Sequence, residues 1–198
     1  MMPPTGWMND PNGLCEFQGV NHIYFQYTPF LAGWGTKLWG HYTTKDWIHY
    51  KEEEPFLYPD EEWDRDGVYS GSAYTCEDDS LFYTGNVKLW DKDYDYIMNG
   101  REQNTIHVFS PDGKNIAYKK LVMTNDDYPV NMSKHVRDPK IYKKDGRYYM
   151  IQGGRDAESY GCALFVLFRR SGTLEMVRYG ADSKAIWLYV GMPGSVRD

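Results

Sequence analysis

Two aspartates precede prolines in this chain, Asp10 within "MNDPNG" and Asp138 within "HVRDPK". A following proline restricts the backbone and favours extended or turn conformations, so each carboxylate is aimed with little loss of order. Asp-Pro pairs also start ordinary turns. Groups suited to sugars accompany them. Trp7, Trp34, Trp39, Trp47 and Trp63 offer flat apolar faces with an N–H at the edge. Asn9, Gln26, Ser70 and Asn86 can hydrogen-bond hydroxyls. Arg137, beside Asp138, can fix that carboxylate or lower its pKa. Two carboxylates among such groups point to a neutral polyhydroxylated ligand and a paired-carboxylate reaction.

The elements that must position these residues are short and aromatic-rich. "LCEF" (Leu14–Phe17) and "HIYFQY" (His22–Tyr27) flank Gln18-Gly19-Val20-Asn21 and read as a hairpin. "KIYKKDGRYYMIQGG" (Lys140–Gly154) is a second hairpin with its turn at Asp145-Gly146. "VYSGSAY", "SLFYTGN" and "TIHVFS" read as further strands, and helix signals are weak from Gly6 to about Phe165. The fold class is therefore all-β, built of repeated antiparallel sheets. Pattern alone leaves sandwich, barrel and propeller open.

Composition excludes several partners. The 198 residues carry a net charge of −6, which argues against a nucleic acid bound through its phosphates. No apolar run reaches the ~20 residues of a membrane span, so no membrane partner is expected. No basic start leads into an apolar core, so no secretory signal is expected. The three cysteines, Cys15, Cys76 and Cys162, form no CxxC pair and read as reduced thiols in a cytoplasmic protein. The five histidines lack zinc-ligand spacing, so neither metal nor other cofactor is expected.

The motifs "WMNDPNG", "YFQYTPF", "WGHYTTKDWIHY", "YSGSA", "YTGN" and "VRDPK" occur in the order they have in glycoside hydrolase family 32. The resemblance runs from Gly6 to about Ala163, and "GGRDAESYGCAL" (Gly153–Leu164) extends it further. It implies a five-bladed β-propeller, of which about three blades are present, followed in full-length members by a β-sandwich. It also implies retaining hydrolysis at a β-fructofuranosyl residue of sucrose, sucrose 6-phosphate or a fructo-oligosaccharide. Asp10 matches the family's nucleophile and Asp138 its transition-state stabiliser. Asn9, Gln26, Trp34, Trp39, Trp47, Ser70 and Arg137 match substrate-site positions.

The family's acid/base is a Glu in a "WECP"-type motif, which these residues do not contain. Glu158 and Glu175 are the nearest carboxylates, and neither has the right surroundings. Back-translating Ala185–Arg197 and moving the frame one base lets the segment read "PFGYMWECPGVF". We therefore expect an incomplete N-terminal propeller domain over residues 1–165 and an out-of-frame tail over 166–198. The parent is then a β-fructofuranosidase and this chain an inactive piece of it; the alternative is a non-catalytic sugar-binding remnant or pseudogene product.

Overall fold

The computed structural model describes residues 1–75, 80–90 and 100–155, with the strands Gly161–Phe168 and Leu174–Gly180. Strands supply nearly all the regular structure. The one helical element among the described residues is a 3-10 turn at Asn125–Asp127.

The strands fall into three antiparallel four-stranded meanders. The first comprises β1 (Trp7–Phe17), β2 (Val20–Thr28), β3 (Leu38–Thr44) and β4 (Tyr50–Leu57). The second comprises β5 (Val68–Tyr74), β6 (Ser80–Lys88), β7 (Arg101–Phe109) and β8 (Tyr118–Met123). The third comprises β9 (Arg137–Lys144), β10 (Arg147–Arg155), β11 (Gly161–Phe168) and β12 (Leu174–Gly180). Two tight turns set the register. Gln18-Gly19 and Asp145-Gly146 each place two successive residues at positive φ (50° and 76°, 51° and 72°), the twist that a two-residue hairpin loop needs.

Side-chain alternation turns these sheets into stacked blades. Along β6, Leu81 and Tyr83 face the first sheet, where they meet Tyr24, Trp39, Phe56 and Leu57. Phe82 points the other way, into a cluster with Ile141 and Met150 of the third sheet. Both faces of β6 are thus covered, and the strand is buried from Ser80 to Val87. Each large side chain buried in this way contributes about 1.5–3 kcal/mol. The first strand of every blade lies innermost, with β1 against β5 and β5 against β9.

All three inner strands depart from regular pairing at the same place. In β1, Asn9 pairs with Gln26 and Pro11 with Phe25, which leaves Asp10 as the extra residue. In β5, Tyr69 and Gly71 pair with Thr84 and Tyr83, and Ser70 is extra. In β9, Arg137 and Lys140 pair with Gly153 and Ile151, so Asp138-Pro139 oppose Gln152 alone. A bulge of this kind bends the strand and re-aims a side chain.

The boundary expected at Phe165 falls inside β11, which continues to Phe168 and pairs with β12 from Ala163↔Gly180 to Phe168↔Leu174. The backbone of the third blade is therefore complete in its four strands. Cys76, Glu158 and everything from 181 onward lie outside the described residues.

Candidate active site

The three bulges gather Asp10, Ser70 and Asp138 at one end of the blades. Of the three, both aspartates have positive φ, 25° for Asp10 and 59° for Asp138. Of the extended and turn conformations expected before proline, neither aspartate is in the extended one. Asp tolerates the left-handed region better than most residues, yet such positions cost of order 1–3 kcal/mol and need support. Asn12 Nδ2 donates to the Asp10 carbonyl at 3.1 Å. The Asp138 amide donates to Thr84 Oγ1 at 3.1 Å. Ser72 Oγ donates to the Pro139 carbonyl at 2.7 Å and accepts from the Ile141 amide at 3.2 Å. Ser72 and Thr84 come from "YSGSA" and "YTGN" of the second blade. Those motifs hold the aspartate of the third.

The two carboxylates sit in different surroundings. Asp10 is exposed. The carboxyl of Asp138 is pushed up to about 6, first by burial, against the opposing pull of Arg137 and with a further push from the charge of Asp10. Burial wins over the neighbouring guanidinium, so the lowering expected from Arg137 is outweighed. The bulges that carry the two aspartates lie on inner strands that both pack against β5.

Across the first blade, Asn9, Gln26 and Trp39 form one row in register. Gln26 is buried and its Nε2 donates to the Val68 carbonyl at 3.0 Å. Trp39 Nε1 donates to the Tyr69 carbonyl at 3.0 Å. The row therefore ties the first blade to the backbone just before Ser70. Lys37, which the sequence reading passed over, is 4% exposed, and its Nζ donates to Asn9 Oδ1 at 2.9 Å. Trp34, 84% exposed, has the same ammonium 5.3 Å from its ring centroid. Burial lowers the Lys37 pKa, and the charge of Asp10 works against that lowering.

Two expected substrate residues do not line this space. Trp39 is 0% exposed, packed beside Tyr24 and Tyr83, and has no face to offer a sugar. Trp47 lies in the turn between β3 and β4, at the far end of the blade, with φ 61° and 58% exposure. The strand β3 separates these tryptophans: Trp39 is its second residue, opposite Gln26, while Thr44 closes it opposite Asn21. Asn86 is also absorbed by structure, since it is fully buried and accepts from Gln103 Nε2 at 2.9 Å. Trp63 packs against the core between blades one and two. Trp7, which opens β1, keeps 43% of its surface exposed.

Stacked four-stranded meanders, with aspartates in the bulges of two inner strands, have the arrangement of propeller blades. The Glycosyl hydrolases family 32 N-terminal domain matches residues 1–174. The chain belongs to that family, and its meanders are three blades of the family's five-bladed propeller. It is 37% identical over 192 residues to a sucrose-6-phosphate hydrolase of Bacillus subtilis, covering 96% of this chain and 35% of that one. It is 41% identical over 167 residues to a raffinose invertase of Escherichia coli, covering 83% and 33%. Among solved structures, a sucrose-6-phosphate hydrolase from Lactobacillus gasseri superposes with TM-score 0.75 at 29% identity, covering 90% and 35%. A β-fructofuranosidase from Bombyx mori gives 0.74 at 29% identity, covering 92% and 37%. The chain spans about a third of the length of the curated relatives it matches.

Proposed function

We propose that a complete protein carrying these residues hydrolyses the β-fructofuranosyl bond of sucrose or sucrose 6-phosphate with retention. The observation that carries this reading is the pair of aspartates, one exposed and one half-buried, in the bulges of the inner strands of blades one and three. Asp10 is the nucleophile on the anomeric carbon. Asp138 faces the positive charge that develops on the fructosyl ring, and its hydrogen bonds to fructose hydroxyls strengthen as that charge grows. Asn9, Ser70, Trp34 and Arg137 meet the sugar, with Gln26 and Trp39 as supports behind them.

The leaving oxygen needs a proton. No Trp-Glu-Cys-Pro motif occurs in the 198 residues. The chain by itself therefore lacks a contribution worth roughly 100- to 10,000-fold. Sucrose and sucrose 6-phosphate are assayed with the 198-residue chain and with a chain completed to five blades. The proposal expects fructose release with retention from the second and little or none from the first. Inversion, or preference for an aldopyranoside, overturns the assignment.

A further inference from the structure

Lys37 is a buried ammonium whose contacts reach both halves of the site. It donates 2.9 Å to Asn9 Oδ1, next to Asp10, and it underlies the exposed ring of Trp34 at 5.3 Å. An ammonium has donors and no acceptor, so it can meet only the carbonyl half of the Asn9 amide. That choice leaves the Asn9 NH2 group as the half that can donate toward a sugar hydroxyl or the Asp10 carboxylate. The main chain of Lys37 is anchored as well: its carbonyl accepts from the Val68 amide at 2.9 Å, at the start of the second blade's inner strand. A side chain so held costs free energy to bury unless its charge is answered. Here Asn9 Oδ1 and the Trp34 ring meet the ammonium, and the charge of Asp10 works against the lowering of its pKa by burial without cancelling it.

Resting on the reading of Asp10 as nucleophile, we propose that Lys37 is a positioning residue that sets the amide of Asn9, attracts the Asp10 carboxylate and seats Trp34. It links the bulge of β1 to the loop between β2 and β3. One ammonium meets both the residue before the nucleophile and the Trp34 ring. Methionine at this position keeps much of the shape and removes the charge; arginine keeps the charge and alters the shape.

The test uses a complete five-bladed protein carrying these residues, labelled with 13C at the lysine ε carbon. The resonance lost in Lys37→Met is assigned to Lys37. It is expected to titrate below the bulk of the lysines, and lower still in Asp10→Asn, where the attracting carboxylate is gone. In kinetics with sucrose, Lys37→Met is expected to lower kcat roughly 10- to 100-fold with KM changed less than about threefold, and Lys37→Arg to recover part of the loss. A Lys37 resonance that ignores Asp10→Asn overturns the proposal, as does an unchanged kcat in well-folded Lys37→Met. If Lys37→Met does not fold, the proposal stands or falls on Lys37→Arg. A shift in the lysine titration with Asp10→Asn and a lowered kcat support it, and wild-type values of both overturn it. A parent protein that hydrolyses no β-fructofuranoside instead defeats the functional reading, while the titration still reports on the link between Lys37 and Asp10.

Discussion

Blades one and three begin with the same local device and put it to opposite uses. In each, an Asp-Pro pair sits in a bulge of the inner strand, with positive φ at the aspartate. Asp10 is exposed, beside a lysine ammonium that is itself buried. Asp138 has its carboxyl desolvated and lifted to about 6, despite Arg137. The backbone sets the aim, and the surroundings set the charge behaviour. Burial makes the difference: Asp138 is desolvated in a backbone held by Ser72 and Thr84 of blade two, whereas Asp10 lies exposed in blade one.

The comparison is tested most severely in a complete five-bladed protein by Asp10→Asn. Loss of the nucleophile is expected to lower kcat by roughly 10^4-fold or more with the fold intact. Substantial activity in a well-folded mutant breaks the assignment. Asp138→Asn is expected to lower kcat by roughly 10^2- to 10^3-fold with little change in KM. It is also expected to abolish an acid limb in the rate near pH 6, because protonation of Asp138 removes the charge that faces the transition state. A limb that persists in Asp138→Asn assigns the titration to another group.

Stability separates the two aspartates in the reverse direction. A carboxyl whose folded pKa lies above its unfolded value binds its proton more tightly in the fold. Its contribution favours the fold below about pH 4 and is lost as pH rises through about 6. Asp138→Asn is therefore expected to raise stability at pH 7–8 by at most about 3 kcal/mol and to flatten the dependence between pH 4 and 6. Denaturant melts at pH 4 and pH 7.5 measure this, and a mutant less stable at both values refutes the desolvated carboxyl.

The two tryptophans of blade one extend the contrast to smaller effects. Trp39→Ala is expected to cost about 3–5 kcal/mol, from the lost burial and the vacated Tyr69 carbonyl. Trp47→Ala is expected to stay within about 0.5 kcal/mol in thermal melts and to leave fructose release unchanged. Lost activity in Trp47→Ala returns that residue to the site.

Much of this arrangement is legible in the residues themselves. The Asp145-Gly146 turn, the alternating aromatic strands and the two Asp-Pro pairs carry local signals that the tertiary structure keeps. What they do not carry is which end of a strand a residue occupies. Trp39 and Trp47 look alike in sequence, and only the length and pairing of β3 put one in the core and the other at the far turn. Lys37 is passed over because nothing local records that it will meet Asn9 and the Trp34 ring. The roles of Ser72 and Thr84 need the third blade in place before their hydroxyls have anything to hold. Positive φ before proline is likewise invisible locally, since the bulge imposes it against the dipeptide's preference.

The repeated bulge has an evolutionary consequence. Because the extra residue stands outside the ladder in each blade, its identity can change without rewriting the pairing of the strands around it. Blade two holds a serine at the address where its neighbours hold aspartates. A lineage can thus exchange the chemical letters at the mouth one blade at a time, while selection on folding acts on the rest of the sheet. Strand pairing and reactivity are set at separate positions, and that separation makes such a propeller mouth easy to repurpose.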